Sequence, residues 1–152
     1  MSDLPFGFDQ PQESPGFLLW QTSVIWQRLI KKTLETYDIS HAQFVIMALL
    51  LWFEAHHYDI TQTLIVNWSK LDKMTVSQAL KKLIAKGFVH RTEHETDTRA
   101  KTSLLTEQGK TLINKLVPQI EKIDENFFCA LTEQEQQCLI TLLNKLAVSS
   151  KN

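Results

Sequence analysis

Residues 61–109 read TQTLIVNWSKLDKMTVSQALKKLIAKGFVHRTEHETDTRAKTSLLTEQG, and this stretch decides the fold. Thr61 can cap a short helix reaching about residue 69, because a threonine oxygen accepts from the free N–H groups of a first turn. Asp72 caps a following helix that carries Ala79, Leu80, Leu83 and Ile84. Gly87 ends it, as the residue type that enters left-handed backbone without strain. Residues 88–94 and 101–105 are strand-like runs on either side of a polar tip, which predicts a hairpin. Two short helices joined by a tight turn and followed at once by a hairpin form a winged helix-turn-helix, whose second helix is shaped to enter the DNA major groove.

Outward from this stretch the pattern is helical. All four prolines stand at 5, 11, 15 and 118, and only Gly87 and Gly109 interrupt residues 17–117 as glycines. Leu18, Ile25 and Leu29, with Trp26, Ile30 and Leu34 on the adjoining row, predict a first helix over 15–37. Ser40 and Gln43 have capping-box spacing and open a second helix that reaches about residue 55. Its run 44–53 is apolar all round, so protein should surround it on most sides. A fifth helix starts near Thr106, with Pro118 expected to kink it or to begin a new turn. Thr132 and Glu135 repeat the capping-box spacing before Leu139, Leu142, Leu143 and Leu146. The fold class is therefore mainly α with a small β-hairpin wing. Its parts are an N-terminal arm over 1–14, a winged helix-turn-helix over 38–106, and flanking helices over 15–37 and 107–148 whose leucine stripes call for an identical partner patch, a homodimer.

Composition narrows the function classes. The 152 residues suit one domain, and 43% hydrophobic with 22% charged is a globular balance. The longest apolar run, ten residues, is too short for a bilayer, and the N-terminus lacks the basic-then-apolar pattern of a secretion signal. Two cysteines without a disulfide framework suit a cytoplasmic chain. Cys138 shares a row with leucines and reads as a buried, inert thiol. No nucleophile elbow or phosphate-binding glycine loop is present, which speaks against an enzyme. The net charge of −1 hides an asymmetry: residues 69–101 hold eight Lys/Arg against four acids, a local +4, while the rest carries eight against thirteen, or −5. One segment is built to meet an anion.

The second helix of the pair would present Met74, Thr75, Ser77, Gln78 and Lys81, side chains that can reach base edges. Lys70, Lys73 and Lys82 are placed for phosphates. Val76, Ala79, Leu80 and Leu83 should face the core. On the hairpin, Asp97 and Arg99 are two apart and can project to one side, so the carboxylate can fix the guanidinium.

With these motifs the chain resembles the MarR family of bacterial transcriptional regulators, over roughly residues 15–148. The likeness rests on Thr61-Gln62, on 71–77 (LDKMTVS), on 83–91 (LIAKGFVHR), and on the wing signature running from Asp97 and Arg99 through Leu105-Thr106 to Gly109. It implies a homodimer on a pseudo-palindromic double-stranded DNA operator, in many members released by a small phenolic or other amphipathic effector, with no cofactor. It also implies that Arg99 reaches the minor groove and that an effector pocket lies between the dimerisation helices and the reading head, for which Trp20, His41 and Trp52 are candidates. Lys70 stands where the family places a small residue or glycine, and Val66 where it places alanine. Gln78 and Thr98 stand where it commonly has a basic residue, with Lys81 and Lys101 near enough to compensate. Those two positions sustain one alternative, a protein-interaction adaptor of the same fold. His41, His56, His57, His90 and His94 sustain another, a metal-sensing regulator.

Overall fold

In a computed structural model, the structure describes residues 3–93 and 101–149. After a short 3-10 turn at Pro11–Glu13 come α1 (Pro15–Glu35), α2 (His41–Ala55), α3 (Gln62–Ser69) and α4 (Lys73–Ala85). Strands β1 (Val89–Glu93) and β2 (Lys101–Leu105) follow, then α5 (Glu107–Phe128) and α6 (Glu133–Ser149). Each expected cap is in place. Ser40 and Gln43 form a reciprocal box at α2, and the side chains of Thr61, Asp72 and Thr106 accept from Leu64, Thr75 and Gly109 at the starts of α3, α4 and α5. Thr132 and Glu135 exchange the same pair of bonds before α6.

The core gathers where α2 lies between the reading head and the long helices. Ile46, Met47, Leu50 and Phe53 of α2 are fully buried with Ile30 and Leu34 of α1, Ile65 of α3, Val76, Leu80 and Leu83 of α4, and Ile113 and Leu116 of α5. The four inward positions expected on α4 are all buried. The strands pair antiparallel, Val89 opposite Leu105 through Glu93 opposite Lys101. A bridge from Thr61 to Thr102, with Ser103 N donating to Ile60 O at 3.0 Å, ties the hairpin to the start of α3.

Protein surrounds α2 on most sides, as its apolar run predicts; Trp52 is its exposed aromatic, at 41%, with its indole stacked on His56 at 3.9 Å. Pro118 lies inside α5, which runs through it as one helix, so no new element begins there. One expectation needs correction. Cys138 is exposed, not buried: none of the described residues of α6 is buried within the chain. None of the described helices is long and apolar enough to cross a membrane.

Candidate nucleic-acid interface

Burial of Val76, Ala79, Leu80 and Leu83 fixes the rotation of α4. At about 100° per residue the opposite face holds Met74, Gln78 and Lys81 in one row, with Ser77 and Lys73 on one flank and Thr75 and Lys82 on the other. Lys73, Met74, Gln78, Lys81 and Lys82 are exposed or half-buried, as are Thr75 and Ser77, so the seven expected side chains form one continuous surface. Met74, an apolar side chain, is 70% exposed there. The Asp72 carboxylate anchors the start of this surface, accepting from Thr75 N at 2.7 Å. That bond holds its carboxyl below the ordinary carboxylate range.

Lys70 precedes the helix and is exposed, and its backbone is left-handed, with φ 63°. This explains why a glycine suits the position: the turn between α3 and α4 requires positive φ, which any residue with a Cβ resists.

Behind the surface, the root of the wing is clamped. Thr106 Oγ1 donates to Gly87 O at 2.6 Å and accepts from Gly109 N at 3.0 Å, while Thr106 N donates to Phe88 O at 3.0 Å. A Cβ on Gly109 would lie 2.1 Å from that same Phe88 oxygen, so the closing glycine of the wing signature is required by backbone contact. Gly87 reverses the chain with φ 83°. Asp97 and Arg99 lie outside the described residues, as does the side chain of Lys101, whose backbone opens β2.

The three pocket candidates are not brought together. Trp52 packs at the far end of α2 against Trp68 at 5.2 Å and Tyr58 at 5.5 Å, eleven residues and roughly 16 Å along the helix from His41. Trp20 stands 67% exposed on the first half of α1. Of the three, His41 lines a groove of about 500 Å³, with Trp26 and Lys31 of α1, Ser69 at the end of α3 and Leu71 in the turn before α4. Trp26, which the sequence places on the row adjoining the first helix's apolar stripe, meets the His41 ring edge-on at 5.1 Å and donates to Asp124 Oδ1 of α5 at 2.7 Å. Burial pushes the His41 pKa down, against the opposing pull of the Asp124 charge. Among the described residues no three His, Cys, Asp or Glu side chains gather as metal ligands; His94 lies outside them.

This architecture has relatives. The family model for an ArnR1-like, winged-helix domain matches residues 35–123. The HTH-type transcriptional regulator YdcH of Bacillus subtilis is 38% identical over 128 residues, which is 84% of this chain and 87% of YdcH. Among solved structures, Bordetella bronchiseptica BpsR, whose DNA binding is regulated by 6-hydroxynicotinic acid, superposes with a TM-score of 0.84 at 23% identity, over 95% of this chain and 100% of that one. A mutant of Escherichia coli MarR complexed with operator DNA gives 0.78 at 23% identity, over 91% and 99%. The curated relative is a transcriptional regulator, and the solved neighbours share the fold of the reading head described above. By its winged-helix domain, its wing signature and this relationship over most of its length, the chain belongs to the MarR family of winged helix-turn-helix transcriptional regulators.

Proposed function

We propose that this regulator is a homodimeric, cytoplasmic repressor that grips a pseudo-palindromic operator in double-stranded DNA and lets go when a small amphipathic or phenolic ligand binds. The observation that carries the reading is the single exposed face of α4, where Met74, Gln78 and Lys81 form a row between lysine-bearing flanks while the opposite face is sealed in the core. In it Met74, Thr75, Ser77, Gln78 and Lys81 read base edges. Lys70, Lys73, Lys82 and Lys101 hold phosphates, and Arg99, steadied by Asp97, enters the minor groove. The operator complex of the MarR neighbour supports the DNA partner.

Ligand release finds support in the groove at His41. It touches α1, α2 and the turn leading into α4, so a planar ligand against Trp26 has direct leverage on the reading head. Lys31 at its edge suits an acidic group, consistent with the effect of 6-hydroxynicotinic acid on BpsR. The adaptor alternative draws its support from Gln78 and Thr98 alone.

The test is enrichment of bound duplexes from a random-sequence pool, followed by titration with salt. The expected result is a symmetric site with half-sites about one helical turn, roughly 10 base pairs, apart. Affinity should fall steeply with salt as lysines displace counterions. A pool that yields no enriched site, or an affinity flat in salt, overturns the reading in favour of the adaptor.

A further inference from the structure

Lys86 is the first residue past α4, and unlike Lys81 and Lys82 it turns inward, with a side chain only 27% exposed. Its ammonium donates to the backbone carbonyl of Asp38 and to Gln43 Oε1, the latter at 3.1 Å, and stands 3.7 Å from Asp38 Oδ2. Two of these oxygens belong to Asp38, in the junction between α1 and α2, and the third to the capping-box glutamine in the first turn of α2. The junction is rigid on its own account. Gln43 is buried, and its Oε1 also accepts from Ser40 N at 3.2 Å, while Asp38 is fixed in left-handed backbone at φ 54°. The Asp38 carboxylate is 98% exposed, so its ion pair adds little; the two hydrogen bonds carry the contact. An ammonium so occupied is not free to meet a DNA phosphate.

We propose that Lys86 is a positioning residue for operator recognition: it tethers the C-terminal end of the recognition helix to the junction where α1 ends, and so sets the tilt of α4 against the frame that spaces two half-sites. The inference rests on the DNA-binding reading above. Its leverage follows from geometry. The 13 residues of α4 span roughly 20 Å, so a tilt of about 10° moves one end by roughly 3 Å against the other. That is close to the rise of one base pair, about 3.4 Å. A loosened tether should therefore blur the preferred half-site spacing by about one base pair.

The experiment uses full-length protein and duplexes enriched from a random pool by the wild type, each remade with its half-sites one base pair closer or further apart. Lys86→Met and Lys86→Gln are expected to bind the best spacing about tenfold more weakly and to lose most of the preference between spacings, with an unchanged salt slope. Lys82→Ala, the control, should lower the salt slope by about one unit and keep the spacing preference. Gln43→Glu, which retains the acceptor, should keep the wild-type profile. The tether is overturned if Lys86→Met keeps wild-type affinity and spacing preference, or if its salt slope falls as in Lys82→Ala. Loss of cooperative melting in both Lys86 variants assigns the residue to folding and overturns it equally. A wild type that enriches no duplex overturns the DNA-binding reading and this inference with it.

Discussion

Two residues of the reading head show opposite relations between side chain and backbone. Lys70 holds φ 63°, where a residue with a Cβ is strained by about 1–2 kcal/mol. Glycine removes that strain and loses about 0.5–1 kcal/mol through greater freedom in the unfolded chain. The net expectation for Lys70→Gly is a protein more stable by up to about 1 kcal/mol in denaturant titration, with weaker DNA binding and a salt slope lower by about one unit. Gly109 is the reverse case, since any Cβ meets the Phe88 carbonyl, which already accepts from Thr106 N. Gly109→Ala must push the start of α5 away from the root of the wing. A loss of about 1–3 kcal/mol is expected from this overpacking. Urea midpoints within error of wild type would show that α5 yields more easily than its hydrogen bonds imply.

At the scale of elements, the groove between α1, α2 and the turn before α4 brings the start of the second helix against the first and against the turn that leads into the reading head. His41 starts α2 there, half-buried, with Trp26 against its ring, Lys31 lining the same groove and Asp124 reached through the Trp26 indole. Burial lowers its pKa in the folded chain, so below its ordinary value of about 6.5 the unfolded chain takes up a proton that the folded one resists. Stability is then complete above that value and declines as pH falls through it. The melting temperature of the wild type should drop on acidification through about pH 6.5, and His41→Gln should show a shallower drop over the same range. Equal slopes for the two proteins would remove His41 from the account. This groove also marks the limit of what the sequence discloses. Caps and periodicities are local, so Ser40, Thr61, Asp72 and Gly87 announced their elements, and the sealed face of α4 followed from its leucines. The pairing of Trp26 with His41 and Asp124, and of Lys86 with Gln43, joins residues far apart in the chain, and no local spacing encodes it. Gln43 was legible as half of a capping box; its second role, as acceptor for a lysine forty-three positions on, was not. Likewise Trp52, a pocket candidate in the sequence, stacks on His56 and packs on Trp68 at the far end of α2 from His41, a placement that the apolar run of α2 does not encode.

At the scale of the whole molecule, one imbalance remains within the chain. Phe17, Leu18, Leu19, Trp20, Ile25 and Leu29 of α1 are all more than 40% exposed, and so are Ile140, Leu142, Leu143, Leu146 and Val148 of α6. Scattered exposed apolar residues are ordinary, but Leu142, Leu143 and Leu146 share one side of α6, and the first turns of α1 expose Phe17, Leu18, Leu19 and Trp20 all round. A second copy related by a two-fold axis supplies the matching rows at no cost in new sequence, because each patch meets its own image. The capped, 17-residue α6 supports the same view: a helix without a single buried described residue draws little stability from its own chain and needs another surface to hold it. The expected mass in light scattering at micromolar concentration is that of a dimer. The melting temperature should rise with protein concentration, since association stabilises only the folded state. Leu142→Glu and Leu146→Glu each place a charge in the apolar row of α6. Both should shift the protein towards monomer and weaken operator binding far more than they disturb the reading head, whose core lies elsewhere. Monomeric mass for the wild type, or dimers undiminished in both variants, would move the interface away from these helices and leave the exposed rows of α1 and α6 for another partner.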